Sequence, residues 1–314
     1  MRRAFLFPGQ GSQTVGMGKD LAEAFPVARA VFEEVDAALS QNLSQLIWEG
    51  PEADLTLTEN AQPALMATSL AVVRVIEAEA GKRLSELGVA VAGHSLGEYS
   101  ALAAVGALSL SDTARLLKRR GQAMQKAVPV GAGGMAALLG VELPLAQEIA
   151  AEAAEGEVCD IANDNGGGQI VLSGSAAAIA RAIALAPTKG VKRALPLPVS
   201  APFHCRLMQP AADVMAEALA SVIMSRPGLP VVINVTARPE QEPDHLRRSL
   251  VEQVTGRVRW QESIAYMASD MGITQFVELG AGKVLTGLAK RIAKDVPGLA
   301  VTSPTDIHAF LESL

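Results

Sequence analysis

The chain has 314 residues, of which 49% are hydrophobic and 19% charged, so it is long and apolar enough to fold around one large core with a smaller second unit. A net charge of −6, with no basic cluster beside exposed aromatic residues, argues against nucleic-acid binding. No run approaches a membrane-spanning length, so no membrane partner is expected, and the two cysteines, Cys159 and Cys205, favour a reducing cytoplasmic setting over a disulfide framework.

Apolar periodicity along the chain predicts alternating strands and helices, which is typical of an α/β fold. In the first 128 residues the predicted elements are a buried strand at 4–7, helices at 28–39, 60–79 and 110–128, and a strand at 89–92 that turns sharply into a helix at 96–104. The strand, turn and helix between 89 and 104 are the feature of this region that bears on function.

The helical pattern ends in a linker, where it is interrupted by Pro129, Gly131, Gly133 and Gly134. The next predicted elements are strand 135–141, helix 144–154, strands 158–162 and 169–174, helix 176–185 and strand 192–197. This order is that of a ferredoxin-like unit, so we expect residues 129–197 to form a small domain inserted into a larger one, formed by residues 1–128 and 198–314. The larger domain resumes with helices at 207–222, 245–254 and 260–269, a strand at 274–279, a helix at 284–294 and a strand at 299–302.

The sharp turn carries the sequence Gly93-His94-Ser95-Leu96-Gly97, which has the G-x-S-x-G spacing of a nucleophile elbow. Side chains two positions to either side of Ser95 would collide in so tight a turn, so glycine is required at both. The free N–H groups of the following helix favour an oxyanion, and the Leu96 N–H is the natural first donor. The alternative is a chance match in a glycine-rich loop, and the flanking strand and helix favour the elbow.

A nucleophilic serine needs a base, and the chain contains four histidines. His94 is adjacent to Ser95 and must point away from it, His245 begins a solvated helix, and His308 lies close to the chain end. By elimination the candidate base is His204, in the loop that follows the last strand of the inserted unit. The alternative is an ordinary surface or structural histidine.

The helix at 110–128 carries a third candidate group in Lys118-Arg119-Arg120. The 100° step of a helix places Arg119 opposite an apolar stripe that includes Met124, with Lys118 and Arg120 flanking it. A flanking arginine can reach into a cleft. The alternative is that the three form a solvated cationic patch.

A series of co-linear motifs resembles malonyl-CoA:acyl carrier protein transacylases of dissociated fatty-acid synthesis. The motifs are Phe7-Pro8-Gly9-Gln10-Gly11-Ser12-Gln13, Gly93-His94-Ser95-Leu96-Gly97-Glu98-Tyr99-Ser100-Ala101-Leu102, Arg120-Gly121, Pro202-Phe203-His204 and Gly280-Ala281-Gly282-Lys283-Val284-Leu285. The likeness extends from about residue 4 to about residue 293. It implies an α/β-hydrolase-like large domain with an inserted ferredoxin-like small domain.

The resemblance also implies roles for single residues. Ser95 would be the nucleophile and His204 the base, while the backbone N–H groups of Gln10 and Leu96 would form the oxyanion hole. Arg120 would bind the free carboxylate of the malonyl group. The expected substrate is malonyl-CoA and the expected partner an acyl carrier protein, with no tightly bound cofactor and no metal.

Further roles follow from the same likeness. The main-chain carbonyl of Gln253 would orient the base in place of an aspartate. Asn163 and Asn165 match a segment that lines the substrate cleft, and Met124, on the apolar stripe of the Arg120 helix, completes the expected substrate contacts. We also expect Lys118, Arg119 or Lys189 near the cleft mouth to steer an acidic carrier. The carrier's pathway, whether fatty-acid or polyketide synthesis, is left open by these residues.

Two other functions compete with acyl transfer. An esterase or thioesterase could use the same pair, but its usual order places an acid between serine and histidine and the histidine near the C-terminus, unlike His204. A non-catalytic carrier-docking module would be indicated by a broken pair, and the pair is intact. Phosphate-binding loops are excluded, because Gly9-Gln10-Gly11 lacks a third glycine and Gly282-Lys283 lacks the remainder of a Walker loop.

Overall fold

The computed structural model describes the whole chain, Met1–Leu314, as fifteen α-helices and eleven β-strands. The strands are β1 (Arg3–Phe7), β2 (Ala90–Gly93), β3 (Gly133–Leu139), β4 (Cys159–Asp164), β5 (Gln169–Ser175), β6 (Arg193–Pro196), β7 (Val231–Val232), β8 (Pro239–Glu240), β9 (Val258–Arg259), β10 (Gln275–Leu279) and β11 (Gly298–Val301). The helices are α1 (Lys19–Ala24), α2 (Pro26–Leu39), α3 (Leu43–Glu49), α4 (Glu52–Thr56), α5 (Thr58–Ala80), α6 (Leu84–Leu87), α7 (Gly97–Ala104), α8 (Leu110–Ala127), α9 (Leu143–Ala154), α10 (Ala176–Leu185), α11 (Gln209–Ala220), α12 (Pro243–Thr255), α13 (Trp260–Ser269), α14 (Val284–Ile292) and α15 (Pro304–Glu312). The mixed α/β class is confirmed.

Six strands form the larger sheet in the order β11-β10-β1-β2-β7-β8, and all neighbours are parallel except β7 and β8. Every residue of the central strand β1 is buried. Phe5 and Phe7 belong to the largest apolar cluster, whereas Ala4 and Leu6 belong to another. A strand covered on both faces must be apolar on both, which is why the sequence reads as a continuous apolar run there.

The register of this sheet places three loops together. Phe7, the last residue of β1, pairs with Gly93, the last residue of β2, and β2 pairs in turn with β7. Since carboxyl ends of parallel strands meet at one edge, the loops after β1, β2 and β7 lie side by side. They carry Gln10, Ser95 and Asn234 respectively.

Five strands form the second sheet in the order β6-β3-β5-β4-β9. The first four run antiparallel to their neighbours, and helices α9 and α10 cover them with a separate cluster of 15 buried residues between Ala136 and Val191. The predicted order strand-helix-strand-strand-helix-strand is the observed one. The fifth strand, β9, comes from beyond residue 197 and pairs parallel to β4, which the sequence did not predict.

Short elements account for most of the other differences from prediction. Helices α1, α3, α4 and α6 and strands β7, β8 and β9 have two to seven residues each, too few for a hydrophobic period to be recognised. Helix α5 is longer than predicted, 58–80 instead of 60–79, and contains Pro63. No helix in the structure has both the length and the apolar character required to cross a membrane.

Candidate active site

Ser95 lies at the tip of the turn between β2 and α7, in the left-handed region with φ 54°. The two glycines around it leave no room for side chains. A Cβ on Gly93 would lie 1.9 Å from the carbonyl carbon of Gly97, and a Cβ on Gly97 would lie 2.2 Å from the carbonyl oxygen of Phe7. Close packing therefore explains the spacing of the motif, and the turn holds the Ser95 hydroxyl at the edge of the sheet.

Asn234, which the sequence analysis did not identify, holds the main chain of this turn through hydrogen bonds. Its Oδ1 accepts a hydrogen bond from the Ser95 N–H at 2.9 Å, and its Nδ2 donates to the Gly93 carbonyl at 2.8 Å. Its own N–H donates to Oε2 of Glu98 at 2.6 Å. Asn234 is fully buried, so these bonds hold the strained backbone of Ser95 where water cannot compete for them.

His204 lies 2.7 Å from Ser95, measured from Nε2 to Oγ. Its Nδ1 is 2.8 Å from the main-chain oxygen of Gln253 and 3.1 Å from that of Gly256. Carbonyl oxygens only accept, so Nδ1 carries the proton and Nε2 is free to accept one from Ser95. No carboxylate contacts the ring.

The charge state of His204 agrees with this tautomer. Burial, reinforced by the positive charge of Arg120, lowers the pKa of His204 to about 3. The imidazole is therefore neutral at physiological pH, which is the form that a general base requires.

Arg120 is 1% exposed, which is unusual for an arginine. Its Nη1 donates to Oε1 of Gln62 at 2.8 Å, and its Nη2 donates to Oε1 of Gln253 at 2.9 Å and to Ser95 Oγ at 3.2 Å. All three acceptors are neutral, and Nε has no partner. A buried guanidinium without a countercharge has the chemistry to bind an anionic group.

Glu98 is the carboxyl group whose charge would act on Arg120, and the two form no ion pair. It is 1% exposed, and burial raises the pKa of Glu98 to about 8, so the carboxyl is mostly protonated at neutral pH. Arg120 consequently keeps an uncompensated positive charge.

A cleft of about 340 Å³ opens over Ser95. Its lining includes most of the predicted site residues: Gln10, Ser95, Leu96, Arg120, Met124, Asn163 and His204. The backbone N–H groups of Gln10 and Leu96 donate to no acceptor in the protein, so both are available to an oxyanion in the cleft. Met124 is 1% exposed and adds an apolar wall.

Two predicted site residues, Asn165 and Gln253, do not line the cleft and instead contact residues that do. Asn165 lies with its Oδ1 2.9 Å from Nε2 of His94, whose ring packs at 5.4 Å against Trp260. Gln253 contributes its carbonyl to His204 and its side chain to Arg120, and its Nε2 donates to the Ser95 carbonyl at 3.0 Å. Only the carbonyl contact of Gln253 was foreseen, because the sequence gives no signal for the side-chain contacts.

The comparisons with known proteins agree with this geometry. The family model described as "Acyl transferase domain" matches residues 4–303. A malonyl CoA-acyl carrier protein transacylase of Escherichia coli strain K12 is 45% identical over 309 residues, which cover 98% of each chain. The chain belongs to the malonyl CoA-acyl carrier protein transacylase family. It is an acyltransferase.

Solved structures of relatives superpose along the whole transacylase. An acyl-carrier-protein S-malonyltransferase from Bartonella henselae gives a TM-score of 0.97 with 56% identity and covers 100% of this chain and 99% of its own. A malonyl-transacylase solved in complex with its type II PKS acyl-carrier protein gives a TM-score of 0.96 with 41% identity, and each chain is covered completely.

The three basic residues expected near the cleft mouth all have acidic partners in this transacylase. Lys118 lies 3.3 Å from Glu59, and Arg119 lies 3.8 Å from Glu217. Lys189 contacts two glutamates at 2.6 Å each, so all three residues expected to steer a carrier already form ion pairs. No group of three or more His, Cys, Asp or Glu side chains could hold a metal ion.

Cys205 follows His204 directly in the chain and is the other nucleophilic side-chain type close to the base. Its thiol is fully buried and donates to the Pro202 carbonyl at 3.2 Å. Burial raises the pKa of Cys205, so the thiol stays protonated and unreactive. Ser95 lines the cleft and Cys205 does not.

Proposed function

We propose that this transacylase transfers a malonyl group from coenzyme A to the phosphopantetheine thiol of an acyl carrier protein, through a malonyl-serine at Ser95. The observation that carries the proposal is the contact between Arg120 Nη2 and Ser95 Oγ at 3.2 Å. An acyl group on Ser95 with a free carboxylate at its far end can bring that carboxylate to a guanidinium that lacks a countercharge. Full-length likeness to transacylases supports the donor and the acceptor.

In the first half-reaction Ser95 Oγ attacks the thioester carbon of malonyl-CoA while His204 Nε2 takes the hydroxyl proton. The N–H groups of Gln10 and Leu96 donate to the negative oxygen of the tetrahedral intermediate. When the carbon–sulfur bond breaks, the coenzyme A sulfur leaves as a thiol with the proton that His204 returns. The product is a malonyl ester of Ser95, and its free carboxylate pairs with Arg120.

The second half-reaction repeats these steps with the carrier. The phosphopantetheine thiol gives its proton to His204 and attacks the ester carbon, and Ser95 leaves with the returned proton. Coenzyme A must depart before the carrier thiol enters the same cleft, so the kinetics should be ping-pong. No step needs a resident cofactor, since malonyl-CoA supplies the activated acyl group.

A hydrolase would differ from this scheme only in the final acceptor. The usual hydrolase order has an acidic residue that orients the histidine, whereas His204 faces two main-chain carbonyls. A neutral orienting group leaves the cleft with one fixed cation, Arg120, and this charge selects an anionic acyl chain. We therefore favour the transferase over an esterase or thioesterase.

We also propose the domain organisation expected from the sequence. The mostly parallel sheet supports an α/β-hydrolase-like domain of residues 1–128 and 198–314, because its nucleophile follows a parallel strand at a strand-to-helix turn. The order β6-β3-β5-β4 supports a ferredoxin-like domain of residues 129–197. We further propose that the protein works in the cytoplasm, where its two buried cysteines, Cys159 and Cys205, would stay reduced.

The fate of a labelled malonyl group tests the proposed reaction. The enzyme is mixed with malonyl-CoA labelled in the acyl group and with holo acyl carrier protein, and Ser95→Ala serves as the matched control. We expect the label on the carrier with the wild type and on coenzyme A only with the variant. Label in free malonate at the same rate without carrier would identify a hydrolase, and label that never leaves coenzyme A would identify a docking module.

A further inference from the structure

A continuous line of side-chain hydrogen bonds, buried from Arg120 as far as Thr58, connects Arg120 to Gln10. Nη1 of Arg120 donates to Oε1 of Gln62 at 2.8 Å, and Nε2 of Gln62 donates to Oγ1 of Thr58 at 2.9 Å. Oγ1 of Thr58 donates to Oε1 of Gln10 at 2.9 Å. Thr58 and Gln62 occupy successive turns of α5 and are 2% and 1% exposed.

The direction of every bond in this line is set by Arg120. A guanidinium can only donate, so the amide of Gln62 must turn its oxygen toward Arg120 and its nitrogen toward Thr58. Because Thr58 accepts from Gln62, the single proton of its hydroxyl is directed to Gln10. The first bond is charge-assisted, and bonds in a buried chain polarise one another, so the order imposed at Arg120 extends to Gln10.

Gln10, at the other end of the line, needs a hydrogen bond that fixes its position. Gln10 lies in the loop after β1, is itself exposed in the cleft, and offers a backbone N–H with no protein acceptor. The next residue, Gly11, has φ 102°, in the region open to glycine, and a Cβ there would meet nothing within 4 Å. The bond from Thr58 is the one side-chain contact of Gln10 within hydrogen-bonding distance.

We infer that Thr58 and Gln62 are positioning residues that couple the carboxylate site at Arg120 to the oxyanion donor at Gln10. This inference rests on the roles proposed above for those two ends. A malonyl carboxylate that immobilises Arg120 also fixes the line and thereby the Gln10 N–H. An acetyl group makes no such contact, so acyl selectivity should reside partly in kcat and not only in KM.

Thr58→Val tests the coupling, because valine keeps the shape of the side chain and removes the hydroxyl. Loss of a whole oxyanion donor costs roughly 10²–10³-fold in kcat, so a displaced donor should lower kcat for malonyl transfer by about tenfold or more. We expect KM for malonyl-CoA to change by less than about threefold, Thr58→Ser to restore kcat, and acetyl transfer to fall much less. Thr68→Val is the matched control: Thr68 lies buried in the same helix and bonds only the Ala64 carbonyl, at 3.0 Å.

A double-mutant cycle with Arg120→Met separates coupling from simple damage. If the line transmits the state of Arg120, Thr58→Val should cost little more once Arg120→Met is present, and melting temperatures verify that each variant is folded. Additive losses in the cycle, or failure of Thr58→Ser to restore kcat, would overturn the inference while leaving the role of Arg120 intact. A normal malonyl-to-acetyl ratio in Arg120→Met alone would instead contradict the proposed function.

Discussion

The proposed role of Arg120 is to select the acyl group that this enzyme accepts, and replacing Arg120 by Ala is the sharpest test of that role. The guanidinium is 1% exposed and donates to Gln62, Gln253 and Ser95, none of which carries a charge. Burial lowers the pKa of Arg120, which reflects the cost of holding an uncompensated cation. A malonyl carboxylate supplies the missing charge, and an acetyl group does not.

The size of the effect follows from this burial. Truncating one partner of a desolvated charge pair costs about 2–5 kcal/mol, which corresponds to a loss of roughly 30- to 5,000-fold in kcat/KM for malonyl-CoA. Acetyl transfer leaves no carboxylate unpaired and avoids that loss. The ratio of malonyl to acetyl transfer should therefore fall by a comparable factor in Arg120→Ala.

The assay compares kcat/KM for malonyl-CoA and acetyl-CoA with the same carrier protein. Arg120→Met fills more of the vacated volume and should give the same change of ratio, which separates charge from packing. Lys118→Ala and Arg119→Ala are controls from the same helix, whose charges already face Glu59 and Glu217. An unchanged malonyl-to-acetyl ratio in both Arg120 variants would refute the reasoning. A large fall of this ratio in Lys118→Ala alone would show that Lys118, and not Arg120, has the role.

Three further predictions concern the buried groups beside Ser95. Replacing His204 by Ala should lower malonyl transfer by roughly 10²–10⁴-fold in steady-state assays without lowering the melting temperature greatly, and no Asp or Glu substitution should match that loss, since Nδ1 faces main-chain carbonyls. Because burial and Arg120 hold the pKa of His204 at about 3, its basic form persists as pH falls, so kcat/KM should stay level from pH 7 to pH 5. A base with the ordinary pKa of 6.5 would lose about 25-fold over this range, and that result would contradict the assignment. Burial raises the pKa of Glu98 from 4.5 to about 8, so between these pH values the folded state binds a proton that the unfolded state has lost. The free energy of unfolding should therefore fall with rising pH by about 1.4 kcal/mol per pH unit. Denaturant titrations should show this decline in the wild type and not in Glu98→Gln, and the same pH dependence of stability in both proteins would disprove it.

The nucleophile elbow and the order of elements around it could be predicted because both are local. Gly93, Ser95 and Gly97 lie within five residues, and the strand and helix beside them have apolar patterns of their own. The strand-helix order of residues 129–197 was predicted for the same reason. Steric constraint and periodicity act over a few residues, so a single sequence contains them completely.

The contacts that organise the site could not be predicted because they are distant in the chain. Asn234 bonds Ser95 across 139 positions, and Arg120 bonds Gln253 across 133. Asparagine and glutamine are ordinary surface residues by composition, and only the pairing of β2 with β7 brings Asn234 to the elbow. Similarly, the two residues of β9 are recognisable as a strand only because they pair with β4.

The position of Asn165 is an intermediate case. The resemblance to transacylases implied that Asn165 lines the cleft together with Asn163, and in the structure only Asn163 lines it. Residues two positions apart in a strand share a face, but β4 ends at Asp164, and the glycines from Gly166 to Gly168, all with positive φ, turn the chain immediately afterwards. Asn165 therefore reaches His94 instead of the space above Ser95.

That Ser95 carries the malonyl group between two thiols is tested most directly by intact-mass spectrometry of the enzyme after incubation with malonyl-CoA alone. The wild type should gain the mass of one malonyl group and lose it when holo acyl carrier protein is added, because the ester is an intermediate. Ser95→Ala should gain no mass under the same conditions. A malonyl adduct that survives in Ser95→Ala, or a wild-type adduct that the carrier cannot remove, would contradict the mechanism.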